Sequence, residues 1–98
     1  MRKDKNFINA LEKIKEVFHK KNVKGVAYLF GSSIRDDYLK TSDIDIAIDS
    51  SDKRIITILR NEFEDLNIPY KIELIDLSEV GEDLKKEILT KGIIVWKN

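Results

Sequence analysis

Residues 30–48, FGSSIRDDYLKTSDIDIAI, decide how this chain is read. A glycine and two serines close the apolar run VAYLF (26–30), and the alternating run DIDIAI (43–48) begins twelve residues after Gly31. VAYLF is short, apolar and rich in β-formers, which predicts a buried strand. Strict alternation in DIDIAI predicts a second strand, with Asp43 and Asp45 on one face and Ile44, Ile46 and Ile48 on the other. The isoleucines are expected to enter the core and hold the strand.

Outward from this stretch the pattern alternates between strand and helix. Phe7, Leu11, Ile14 and Phe18 recur at helical spacing, widened by Ile8 and Val17, and predict an amphipathic helix over 6–21 that ends at Asn22 and Gly25. Ser32 or Ser33 is expected to cap a short helix running to about Leu39. Ser50 and Ser51 are the capping candidates for a helix whose buried face is Ile55, Ile56, Leu59, Phe63 and Leu66. Asn67 and Pro69 stop that helix, because the residue before proline avoids helical geometry. YKIELIDL (70–77) predicts a third strand, residues 82–90 a last helix stopped by Gly92, and IIVW (93–96) a closing strand. Such alternation predicts an α/β (α+β) fold, a small mixed β-sheet with helices packed on it, as one domain over residues 1–98.

Composition narrows the function classes. The 98 residues are 42% hydrophobic and 37% charged, with one proline and four glycines, as in a globular chain and not a disordered one. The absence of cysteine excludes disulfides and thiolate metal sites and fits a reducing, cytoplasmic setting. MRKDKNF is not followed by an apolar signal-peptide core, and no apolar run is long enough for a bilayer, so no membrane role is expected. Net charge is zero but uneven: residues 1–25 hold eight Lys/Arg against three Asp/Glu, and residues 26–53 hold three against six. The basic segment reads as a solvated helix face, with a partner-docking or RNA-binding face as the other reading. His19 is expected at the surface and Trp96 in packing.

The chemistry concentrates at the turn and the paired acids. Gly31 lets a ligand approach the backbone, and a helix beginning there would present unpaired N–H groups and a positive dipole end to phosphate. Arg35 would add a charge-assisted contact. A Gly-Ser-Ser turn also serves as an ordinary cap, and the Gly-Lys-Ser/Thr run of a Walker loop is absent. Two carboxylates a few ångströms apart on one strand face favour a cation between them. Mg²⁺ suits them, being held by one or two carboxylates plus substrate phosphates. An isolated D-x-D can equally sit at a solvated strand edge. On the third strand, Glu73 shares a face with Lys71 and Ile75, whereas Asp76 shares the more apolar face of Tyr70, Ile72 and Leu74. Glu73 is therefore the candidate third carboxylate and Asp76 a turn residue.

Gly31-Ser32-Ser33-Ile34-Arg35 followed by Ser42-Asp43-Ile44-Asp45-Ile46-Ala47-Ile48 resembles the signature of the DNA polymerase beta-like nucleotidyltransferases. More narrowly, the chain resembles a minimal nucleotidyltransferase (MNT), a kind paired with HEPN-domain proteins. The resemblance implies that Gly31 and Ser32, with Ser33 and Arg35, hold a nucleoside triphosphate. It implies that Asp43, Asp45 and Glu73 bind two Mg²⁺ ions and carry catalysis. It further implies AMP transfer from ATP to a hydroxyl, a tyrosine of a HEPN toxin, by an antitoxin; the alternative is an antitoxin that neutralises by binding alone. Nucleotide transfer to a small molecule is a third reading, disfavoured by the absence of an acceptor domain. This sequence has Glu73 where the family usually carries Asp, Ser33 where Arg is frequent, and Asp36 where Gly is frequent. At this size, a HEPN partner or self-association is expected to complete the cleft, with no direct nucleic-acid binding.

Overall fold

A computed structural model of the protein describes residues 4–34 and 43–98, apart from the side chain of Ser32. The chain opens with α1 (Lys5–Lys20), whose N-terminus is capped by the Asp4 carboxylate accepting from the Phe7 amide. Phe7, Ala10, Leu11, Ile14, Val17 and Phe18 form its buried face. Ile8, expected in that stripe, is 36% exposed, and Ala10 is buried instead. The helix ends at Lys20, and Asn22 turns the chain with a φ of 50°, so the Val23 amide reaches back to the Phe18 carbonyl.

Among the described residues four strands follow: β1 (Val26–Phe30), β2 (Ile44–Asp49), β3 (Ile72–Asp76) and β4 (Ile93–Lys97). They form one sheet in the order β3-β2-β1-β4. β1 runs antiparallel to both β2 and β4, while β2 and β3 are parallel. The sheet is therefore mixed, as expected. The parallel pair is joined by α2 (Lys53–Glu64), since parallel neighbours need a crossover. The third helix, α3 (Glu82–Lys91), precedes β4.

Both faces of the sheet are used. Ile44, Ile46, Ile48, Ala27 and Leu29 are fully buried on the side packed by α1 and α2, together with Ile14, Phe18 and Leu59. Phe18 is held between Phe63, edge to face at 5.8 Å, and Trp96, stacked at 5.9 Å. The Trp96 indole N–H donates to the Val23 carbonyl, and His19 is exposed, so both residues have the structural roles expected of them. On the opposite face a smaller cluster of Ala47, Leu77 and Ile88 packs with Tyr28, Phe30, Ile75 and Val80, which brings α3 onto the sheet.

The cap of α2 departs from expectation. Asp52, not Ser50 or Ser51, accepts from the Arg54 amide. The Ser50 hydroxyl donates to the Lys24 carbonyl at 2.7 Å and accepts from the Asp52 amide, which ties the end of β2 to the start of β1. The short helix expected after Gly31 is a 3-10 turn, Gly31–Ile34, and its predicted continuation to Leu39 lies outside the described residues. No described helix is long and apolar enough to cross a membrane.

Candidate active site

The site face follows from the register. Asp45 stands opposite Phe30 on β1 and opposite Glu73 on β3, so one residue links the glycine turn to the third strand. Alternation puts Asp43, just ahead of β2, on the same face as Asp45, and Lys71 and Ile75 on the same face as Glu73. The three candidate carboxylates thus share one face of two adjacent strands, and the fully buried isoleucines of β2 support them from behind.

Gly31 touches this face directly. Its φ is +65°, and a Cβ built there would lie 2.8 Å from Asp45 Oδ2. The missing side chain is what lets the turn and the carboxylate meet.

Ser33, expected among the nucleotide-binding groups, has its hydroxyl engaged with the backbone at the start of β2. The side chain is fully buried, accepts from the Asp45 amide at 3.0 Å and donates to the Asp43 carbonyl at 3.4 Å. It pins the backbone on both sides of Ile44 and so positions the two aspartates. Arg35 and Ser42 lie outside the described residues, as does the side chain of Ser32.

Glu73 is already engaged. Its Oε1 lies 3.2 Å from Lys71 Nζ, and both side chains are accessible, at 47% and 74% exposure. The Glu73 hydrogen bond and charge, with a smaller contribution from Asp43, raise the Lys71 ammonium above its ordinary pKa. In the sequence, Lys71 is marked only by sharing a face with Glu73. That period-two spacing is the signal that points to the pair. Among the described residues, no three Asp, Glu, His or Cys side chains converge closely enough to hold a metal as they stand.

Asp76 belongs to the other face and has a structural task, as expected of a turn residue. Burial pushes its carboxyl up, but bonds from Ser78 and Lys53 outweigh this and leave it below the ordinary range. It accepts from the Ser78 amide and hydroxyl and pairs with Lys53 at 3.0 Å, joining the start of α2 to the end of β3. A groove of about 640 Å³ runs along β3, lined by residues including Arg60, Tyr70, Lys71 and Glu73. Of the candidate carboxylates, Glu73 alone lines it. Arg60 donates there to the Leu74 carbonyl, blunting the open strand edge.

The family described as polymerase beta nucleotidyltransferase matches residues 12–98. No curated protein matches the sequence. Among solved structures, a chain of a toxin–antitoxin complex with AMP-PNP is 25% identical, with a TM-score of 0.70 over 90% of this chain and 73% of that one. A chain from the tri-AMPylated Shewanella oneidensis HEPN toxin in complex with MNT antitoxin is 24% identical, with a TM-score of 0.63 over 94% and 73%. A protein of Sulfolobus solfataricus assigned as a nucleotidyltransferase is 25% identical, with a TM-score of 0.51 over 100% and 93%.

Proposed function

Because this chain belongs to the polymerase beta nucleotidyltransferase family, we propose that it transfers AMP from ATP to a hydroxyl of a HEPN-domain protein, acting as the antitoxin of a toxin–antitoxin pair. The observation that carries the reading is the meeting of three features on one face. The Gly31 turn abuts Asp45, Asp43 precedes it by two residues, and Glu73 stands beside Asp45 on the neighbouring strand. The likeness to complexes with AMP-PNP and with a tri-AMPylated HEPN toxin supports the substrate and partner.

The donor set suits magnesium. All three side chains offer hard oxygen atoms, and the space at Gly31 that a Cβ would fill keeps the turn close to Asp45. Asp43, Asp45 and Glu73 would hold Mg²⁺, which when bound neutralises phosphate charge and lowers the pKa of an attacking hydroxyl.

The chain's own residues supply the rest. The backbone at Gly31 and Ser32, with Arg35, receives the triphosphate, and Ser33 holds the Asp43–Asp45 backbone in place. The acceptor oxygen bonds to the α-phosphorus as the bond to the bridging oxygen breaks, and pyrophosphate leaves. In this reading Glu73 receives the hydroxyl proton.

Labelled ATP, Mg²⁺ and a purified HEPN-domain partner should give labelled partner, and Asp43→Ala or Asp45→Ala should abolish the label. No transfer with the unaltered chain overturns the reading. A second reading, neutralisation by binding alone, is favoured by the engagement of Glu73 with Lys71. It requires the doubly substituted Asp43→Ala, Asp45→Ala chain to protect against the toxin as well as the unaltered one.

A further inference from the structure

Lys71 is built into the carboxylate face. The Ile44 amide donates to the Lys71 carbonyl at 2.9 Å, which fixes Lys71 beside the start of β2. The register Ile44↔Ile72 and Asp45↔Glu73, carried one step back, sets Lys71 opposite Asp43. From there its ammonium reaches Glu73 Oε1 at 3.2 Å. We propose that Lys71 is an internal stand-in for the divalent cation, holding Glu73 in the metal-free site and leaving it when a metal arrives. The proposal rests on the reading of Asp43, Asp45 and Glu73 as metal carboxylates.

A nearby cation is favoured here. Carboxylates gathered on one strand face repel unless a positive charge is near, and an ammonium on a flexible four-carbon stem supplies one. The same stem makes the arrangement reversible. Lys71 is 74% exposed, so its head group can return to water when a divalent ion takes Glu73. The pairing occupies an oxygen of Glu73 that the proposed metal would use. An ordinary surface pair has no coupling to a metal, whereas this one competes for a ligand atom.

The test is calorimetric titration of Mn²⁺ into the full chain without nucleotide. Lys71→Met should bind Mn²⁺ about two- to fivefold more tightly than the unaltered chain, the range expected from releasing an exposed ion pair. Lys71→Arg, which keeps the charge, should stay near the unaltered affinity. In a Glu73→Gln background the gain from Lys71→Met should largely vanish, because the competition runs through Glu73. Unchanged or weaker binding by Lys71→Met overturns the proposal. So does an equal gain in the Glu73→Gln background, which marks a through-space charge effect. Asp45→Asn separates the two readings. If the unaltered chain shows no Mn²⁺ binding that this substitution removes, the metal reading and the proposal both fall. If Asp45-dependent binding is present without the Lys71→Met gain, only the proposal falls. Thermal melts of each variant confirm that it is folded.

Discussion

Gly31 carries two constraints at once, a left-handed backbone and a neighbour that leaves no room. An alanine at φ +65° adopts a conformation disfavoured for L-residues, and its methyl carbon would meet Asp45 Oδ2 at 2.8 Å. Gly31→Ala is expected to lower stability by about 1–2 kcal/mol, read from the urea midpoint, and to displace the Asp45 carboxylate. A stability equal to that of the unaltered chain would show that the turn relaxes without cost. Ser33 shows where residue-level reading stops. A serine two residues after such a glycine can face a ligand or face inward, and spacing alone does not distinguish them. Here the choice is made by the amide of Asp45, twelve positions away in the sequence, which would otherwise lose a partner.

At the scale of elements, Asp76 joins α2 to β3. Its carboxyl sits below the ordinary value of 3.8 because Ser78 and Lys53 outweigh the effect of burial. A depressed carboxyl contributes stability that is complete above the unfolded value and is lost as pH falls through the lower, folded value. Urea unfolding from pH 7 down to pH 3 should therefore show an acid loss that is shallower in Asp76→Asn. That variant should also be weaker by about 1 kcal/mol at neutral pH, with one charged hydrogen-bonding partner gone. Identical acid limbs would remove Asp76 from this role. The elements themselves were legible: period-two and period-3.6 patterns located four strands and three helices within a few residues. The α2 cap was misread because the Ser50 hydroxyl is drawn to the Lys24 carbonyl, a long-range contact with no local signature. The shared face of Asp43 and Asp45 follows from alternation alone. The partnership of Asp45 with Glu73 does not, since a helical crossover leaves the parallel register open until the core packs.

Across the whole molecule the two faces of the sheet are unequally secured. The α1–α2 side buries a large cluster that includes Phe7, Ile14, Phe18, Ile46 and Leu59, while the α3 side rests on Ala47, Leu77 and Ile88. Regions with fewer buried apolar contacts open at lower free energy. Native-state hydrogen exchange should find the α3 amides opening before those of α1. Ile88→Ala should accelerate α3 selectively, whereas Leu59→Ala should lower global stability by about 2–5 kcal/mol. Equal opening energies for α1 and α3 would show a single cooperative unit. The less secured face is also the one that carries Asp45 and Glu73, so under the proposed function a ligand would enter on the side with less packing to disturb.

The parallel pairing of β2 with β3 also gives β3 a parity. Glu73 stands beside Asp45 while Leu74, one step on, fills the core. Lengthening the connection before Lys71 only lets out slack. Adding or removing a single residue between Lys71 and Glu73 inverts every later position of the strand, sending a carboxylate inward and a leucine out. A change of two restores the faces and alters only which residue stands beside Asp45. Length in this chain is therefore quantised: continuous in the connections, and countable only in pairs along β3.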